Sequence, residues 1–465
     1  MVSLAPPNEK SPATFDWPLA YEAEQLVGGF ITAFLEKHGF AQKLAARMRD
    51  ETGTEFYEWT DHFALSPEHG AALRAVGFVE ENVPVGVGAT VLHHPKAMMP
   101  RVVLHAGGSR NGVPAALAIK PEVLPDFLAA HDLAVPIEGD FGARLRRALV
   151  AEENGLSLYA VERLGYRGFL VEEPAPGFAA AVIKARELFR TRRRNFPDDA
   201  QGVKHAFDVL AQVLALVPRD VACELFFAEE RVYWEFRNRA GRVQKRRQDT
   251  LGLGWGNHDH HTFRCSRRLF ADLVEFLTRL GLEKRERFYA GDEAGWGAQV
   301  MEAPAVGIVV FADVDLQPGE IDIDFAAQRL PELKELRTVG LWCGLHGDSF
   351  LQAGMHHLEA RFDFARLRDQ LAAEGVATMK PFSDFAFLKQ AFTEGERWRV
   401  RPERVAELVK KNFITPAQAD GFIRDGAIGS HLENLQRKGG FKGFNQKAVS
   451  AIIAATDPRK VQAHA

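Results

Sequence analysis

Cysteine is scarce: Cys223, Cys265 and Cys343 are the only three in 465 residues. An odd number at wide spacing excludes a disulfide framework and leaves no paired-cysteine pattern for structural zinc. No apolar run is long enough to span a bilayer, so no membrane partner is expected. The stretch 1–18 holds prolines and a lysine but no apolar signal core, which makes the cytoplasm the default compartment. A net charge of −4 offers little to a polyanion, so nucleic acid is not an expected partner. Two motif frames are also missing. Ser349 lacks the Gly-x-Ser-x-Gly frame of a nucleophile elbow. The glycine-rich run Gly439-Gly440-Phe441-Lys442-Gly443-Phe444-Asn445-Gln446 lacks the Gly-Lys-Ser/Thr ending of a phosphate loop. That run is instead placed to cover a site.

Hydrophobic residues make up 46% of the chain and charged residues 26%, enough for a sizeable core in roughly two to three domains. The most informative stretch is Asn257-His258-Asp259-His260-His261-Thr262-Phe263-Arg264-Cys265-Ser266, which follows Gly252, Gly254 and Gly256. Read as a strand, it puts His258, His260, Thr262 and Arg264 on one face and Asp259, His261, Phe263 and Cys265 on the other. One face is polar and histidine-rich; the other suits a core. A helix over 268–280 follows, then strands at 285–289, 297–302 and 306–312.

The same order of strand, helix and three strands is expected earlier, from Glu55–Leu65 through Pro67–Val76 to strands near 77–79, 88–93 and 101–105. A histidine lies on the first strand of each set, His62 and His260. The fold class expected is α+β, with paired βαβββ modules forming an open barrel from 55–106, 257–312 and 355–364, and added helices outside. The implied organisation is an N-terminal helical segment at 1–54, a first module at 55–109 and a helical or mixed insertion at 110–256. A second module follows at 257–375, itself interrupted at 317–350, then a C-terminal helical region at 376–465. Within these, helices are expected at 121–131, 141–154, 178–195 and 205–217, a hairpin at 224–237 and a solvated strand or loop at 242–247. Short helices are expected at 385–392, 402–411, 416–424 and 445–455.

Histidines beside a carboxylate on one face can hold an octahedral metal with open positions, the arrangement of non-haem Fe(II) oxygenases. The expected ligands are His62, His260 and Glu359, with Glu302 or His357 as alternatives to Glu359. Fe(II) is the expected metal, with Mn, Zn or Ni as alternatives. Arg264 and Arg361 are the expected anion partners, because guanidinium binds carboxylate in bidentate fashion.

The repeated module order resembles the vicinal oxygen chelate superfamily. Within it, His62-Phe63-Ala64, His260-His261-Thr262-Phe263-Arg264 and Leu358-Glu359-Ala360-Arg361 resemble the motifs of the 2-oxoadipate dioxygenase/decarboxylase (hydroxyglutarate synthase) family. That resemblance implies a non-haem Fe(II) dioxygenase and decarboxylase acting on a 2-oxo acid with dioxygen. It implies substrate contacts from Thr262, Arg264, Arg361 and Ser66. Ser66 stands where the family carries a substrate-binding arginine, which bears on the identity of the substrate. The run Gly-Phe-Lys-Gly-Phe-Asn also looks like the C-terminal gating segment of 4-hydroxyphenylpyruvate dioxygenase. Two other functions share the modules: a metal-dependent isomerase or lyase, in which the metal polarises a carbonyl, and a non-catalytic protein that holds a small ligand.

Overall fold

A computed structural model describes residues 17–291, 294–445 and 459. Two sheets organise it. The first uses β1 (Thr60–Leu65), β2 (Val79–Glu81), β3 (Thr90–His93), β4 (Arg101–Leu104), β5 (Ala116–Ile119), β6 (Leu145–Glu153) and β7 (Leu156–Arg163). Its seven strands run in the order β2-β3-β4-β1-β5-β7-β6. The second uses β8 (His258–Arg264), β9 (Glu283–Tyr289), β10 (Trp296–Ala303), β11 (Ile308–Asp315), β12 (His357–Arg361), β13 (Ser383–Phe385), β14 (Leu388–Phe392), β15 (Glu396–Trp398) and β16 (Ala427–Arg437). Its order is β9-β10-β11-β8-β12-β16-β14-β13, with β15 paired to β16.

The two sheets repeat one plan. β1 lies parallel to β4 and antiparallel to β5, as β8 lies parallel to β11 and antiparallel to β12. β5 is parallel to β7, as β12 is to β16. Each sheet is therefore a pair of modules: strand, helix and returning strands, with the two first strands side by side. This is the α+β, paired βαβββ architecture expected from sequence. The pairing differs from the expectation, however. Residues 55–106 and 257–312 do not share a sheet. Each set completes its own sheet with strands from regions expected to be helical.

Those strands explain most of the local misreadings. Leu145–Glu153 is rich in helix formers, yet it pairs along its length with β7 and buries Leu145, Ala148 and Val150. Cross-strand pairing here overrides intrinsic propensity. Residues 224–237, expected as a hairpin, lie almost entirely in the helix Arg219–Phe236, which presses Phe226 and Phe227 against Phe263 on the outer face of the second sheet. Residues 242–247 belong to a helix, Arg239–Asp249, whose first turn is capped by the Asn238 side chain accepting from the Gly241 amide at 2.7 Å. Residues 385–392 form the β13–β14 hairpin rather than a helix. The helices at Pro402–Lys410 and Pro416–Asp425 are as expected, proline-led, the second with a capping box from Thr415 and Gln418. The helix expected at 445–455 falls outside the described residues beyond Asn445.

The amphipathic helix Phe270–Arg279 buries Phe270, Leu273, Val274, Phe276 and Leu277, a helical spacing that seats it against the second sheet. On the opposite, inner face, Trp296, Val300, Phe311, Val339, Trp342 and Trp398 form a separate apolar cluster. Trp342 comes from the helix Thr338–His346, part of the segment expected as an insertion. Cys223, Cys265 and Cys343 are all buried and unpaired, and burial raises each thiol well above its usual range.

The glycines before β8 set how closely the two halves meet. Gly252 has φ of +64°, and a Cβ there would lie 2.4 Å from the Phe127 Cα. At Gly256 a Cβ would lie 2.4 Å from the Lys120 carbonyl oxygen and 2.8 Å from the Trp59 ring. Gly256→Val is expected to destabilise the protein by about 1–3 kcal/mol through overpacking. A denaturant titration reads this, and an unchanged midpoint contradicts the tight crossing.

Candidate metal centre

The site grows from a tripeptide used twice. His357-Leu358-Glu359 on β12 and His431-Leu432-Glu433 on β16 run parallel and in register, so His357 faces His431 and Glu359 faces Glu433. On the other side of β12, Glu359 pairs with His260 of β8, next to a register shift between His258 and His260. One ligand atom each from His260, Glu359 and Glu433 comes together within 4.8 Å, and all three residues are buried. His260 Nε2 is 2.9 Å from Glu359 Oε1. His260 Nδ1 donates to Asp259 Oδ1 at 2.9 Å, which leaves the Nε2 lone pair facing the carboxylates. Asp259 is in turn gripped by Arg437 at 3.0 and 3.1 Å.

The cluster fits a divalent cation. Glu359 Oε2 is buried with no hydrogen-bond partner. Glu359 Oε1 accepts from Thr262 Oγ1 at 3.3 Å and pairs closely with His357 Nε2. Glu433 Oε1 accepts from Gln390 Nε2 at 2.8 Å. Burial lifts the Glu433 carboxyl to about 7, and burial with Glu433 alongside pushes Glu359 well above the usual carboxylate range. Burial lowers His260 to about 4 against the opposing pull of Asp259, so its imidazole is neutral at neutral pH. Two adjacent buried carboxylates and a neutral imidazole form a donor set that a cation completes. Protons and cation compete for the same oxygens. Metal affinity is therefore expected to rise as pH increases from 5.5 through about 7, where the Glu433 proton leaves, and to go on rising as the raised Glu359 carboxyl gives up its own. Calorimetric titration across that range reads it; affinity that falls with rising pH contradicts the ligand set.

Of the residues expected from sequence, His260, Glu359 and Thr262 are brought together. His357 touches both carboxylates, with Nε2 3.8 Å from Glu433 Oε2. Arg264 lies on the same β8 face, buried, with its guanidinium 5.7 Å from the Trp342 ring centre. Arg361 lies at the other end of β12 and donates to the Glu58 carbonyl at 3.2 Å. Glu302 is taken up by Arg285 at 3.2 Å and Lys442 at 2.8 Å.

His62 lies on β1 and Ser66 just after it, and the His260–Glu359–Glu433 cluster includes neither. Ser66 donates to Glu68 at 3.0 Å. His62 is nevertheless the structural counterpart of His260. Its Nδ1 is 2.6 Å from Asp61, and Asp61 is held by Arg163 at the end of β7, as Asp259 is held by Arg437 at the end of β16. The partners differ. His62 pairs with Ala118, and Ala118 with Tyr159, where the second sheet has Glu359 and Glu433. The first half has the histidine and its support, with Ala118 and Tyr159 where the second has carboxylates.

Glu433 was missed because β16 was not read as a strand, although the repeated His-Leu-Glu was there to find. The glycine-rich run does cover the centre: the Phe444 ring is 5.1 Å from His260 and 4.3 Å from Phe311, and Arg437 donates to the Gly443 carbonyl at 2.6 Å.

Comparison with known proteins finds no matching family model and no matching curated protein. Among solved structures, the chain is similar to a mutant 4-hydroxymandelate synthase from Streptomyces coelicolor, with a TM-score of 0.28 and 12% identity over 88% of this chain and 98% of that one. Methylmalonyl-CoA epimerase from Mycobacterium tuberculosis aligns with a TM-score of 0.23 and 12% identity, over 39% of this chain and 88% of that one. The protein YdcJ from Shigella flexneri, which includes domain DUF1338, aligns at 0.24 and 12% identity over 55% and 73%. TM-scores this low carry no weight for function. Among the described residues, no helix is long and apolar enough to cross a membrane.

Proposed function

We propose that the protein is a metalloenzyme of the vicinal oxygen chelate type, and that it acts as an Fe(II)-dependent dioxygenase and decarboxylase on a 2-oxo acid. The observation that carries this reading is the buried His260–Glu359–Glu433 cluster on the inner face of one sheet, with a carboxylate oxygen left without a partner. His260, Glu359 and Glu433 would hold an Fe(II), which would supply the chemistry for activating a 2-oxo acid and dioxygen. The chain's own residues supply the setting. Asp259 fixes the His260 tautomer, Thr262 orients Glu359, Phe311 and Phe444 keep water out, and Arg264 holds the far carboxylate of the substrate.

A second reading has a specific observation in its favour. One histidine with two carboxylates is a harder donor set than two histidines with one carboxylate, and it suits a hard cation such as Mn(II). In that case the centre polarises a carbonyl for isomerase or lyase chemistry. Anaerobic loading with Fe(II), followed by a panel of 2-oxo acids in an oxygen electrode, separates the two. The proposal expects oxygen uptake matched by carbon dioxide release with at least one dicarboxylic 2-oxo acid. Turnover of substrate without oxygen uptake supports the isomerase or lyase reading instead.

A further inference from the structure

A cavity of about 520 Å³ lies between the two halves, outside the metal cluster. Its inner wall includes Asp259 and Phe444, but His260, Glu359 and Glu433 do not line it. Charged side chains dominate the lining, and most are paired. Arg101 meets Asp61, Arg167 meets Glu81, Arg285 and Lys442 meet Glu302, and Arg437 meets Asp259. Two cations are left. Among the described residues, neither Lys120 nor Arg361 has a carboxylate within ion-pairing distance, and the one hydrogen bond of the Arg361 side chain goes to the Glu58 carbonyl. Its Nε is buried without a partner.

These two residues occupy equivalent places in the repeated plan. Lys120 follows β5 and its amide donates to the Trp59 carbonyl at 2.8 Å; Arg361 ends β12 and its amide donates to the Asn257 carbonyl at 3.1 Å. Trp59 and Asn257 precede β1 and β8 respectively. The internal symmetry of the chain thus brings one cation without an ion-pair partner from each half to the same cavity. His258 lies within electrostatic reach of both, and burial with the neighbouring cations holds its ring neutral. Glu58 lines the same cavity and acts on Arg361, and Asp61 and Glu224 act on Lys120, but cationic side chains still outnumber carboxylates in the lining.

We propose that this inter-half cavity binds a small dicarboxylate, one carboxylate on Lys120 and the other on Arg361. One cation from each half suits a ligand with two anionic ends, and the volume suits a short-chain diacid. The first half thereby contributes to binding.

The test uses the full chain stripped with a chelator, so that its outcome is independent of the metal centre. Glutarate binding is measured by calorimetry, with inorganic phosphate and acetate as separate arms. Glutarate is expected to bind, and to bind more tightly than either comparison ion. Lys120→Met and Arg361→Met are each expected to weaken it roughly tenfold or more, with Lys120→Arg retaining it. Melting temperatures without ligand are expected to stay close to wild type in the Met variants, because neither cation has an ion-pair partner to lose. Glutarate binding equal to wild type in either Met variant overturns the proposal, as does phosphate binding more tightly than glutarate. Loss of metal in a Glu433→Gln variant with glutarate binding preserved leaves this site standing apart from the metal reading.

Discussion

Arg437→Met is expected to cost about 3–5 kcal/mol of folding stability and to weaken metal binding as well. Arg437 and Asp259 form a bidentate pair, 9% and 4% exposed. Removing the arginine leaves a carboxylate buried without its counter-charge, and that loss is among the larger single-residue effects in proteins. Two further contacts go with it: Arg437 donates to the Gly443 and Phe441 carbonyls, which hold the segment carrying Phe444 over His260. Asp259 is also the group that sets the His260 tautomer, and disturbing such a support typically lowers metal affinity ten- to a hundredfold. Arg163→Met in the first half is the control. Asp61 keeps Arg101 at 3.5 Å, so a smaller loss of stability and no change in metal affinity are expected. Urea denaturation and metal titration on the two variants decide it. Equal effects on metal affinity from both contradict the placement of the centre.

Arg264→Met is expected to raise KM for a dicarboxylic 2-oxo acid by roughly ten- to a hundredfold while leaving metal content intact, from the loss of one charge-assisted pair. Along β8 its Cα is ~13 Å from that of His260, and a long guanidinium can lean back toward the centre. The competing role for Arg264 is to neutralise Asp313, its register partner on β11. Burial pushes the Asp313 carboxyl up to about 8, with Arg264 pulling it down, so at neutral pH that group is largely protonated. Asp313 therefore asks little of the arginine, and the variant is expected to melt close to wild type. KM, metal content and melting temperature are measured on one preparation. An unchanged KM across neutral and acidic 2-oxo acids contradicts the role as anchor, and a large fall in melting temperature assigns Arg264 to the fold.

The alternation in His258–Arg264 is enough to place His260, Thr262 and Arg264 on one face, because the segment is a strand with regular pairing from His260 on. What the sequence hid was the pairing of strands. Leu145–Glu153 is rich in Leu, Ala, Arg and Glu, which favour a helix, and only its cross-strand neighbours make it a strand; in Ala427–Arg437, Gly429, Ser430 and Asn434 interrupt the strand pattern. β16 carries Glu433, while His62, expected as the second histidine, lies on β1. Asp61-His62 and Asp259-His260 are counterparts, but beside His62 stand Ala118 and Tyr159. A register between strands cannot be read from one chain's periodicity.

The central claim is that one sheet alone holds the metal. Metal content of the purified full chain after loading with Fe(II) under anaerobic conditions, measured by elemental analysis, tests it most directly. His260→Ala, Glu359→Ala and Glu433→Ala are each expected to lower bound metal at least about tenfold, while His62→Ala retains it. Loss of metal in His62→Ala with retention in Glu433→Ala contradicts the account.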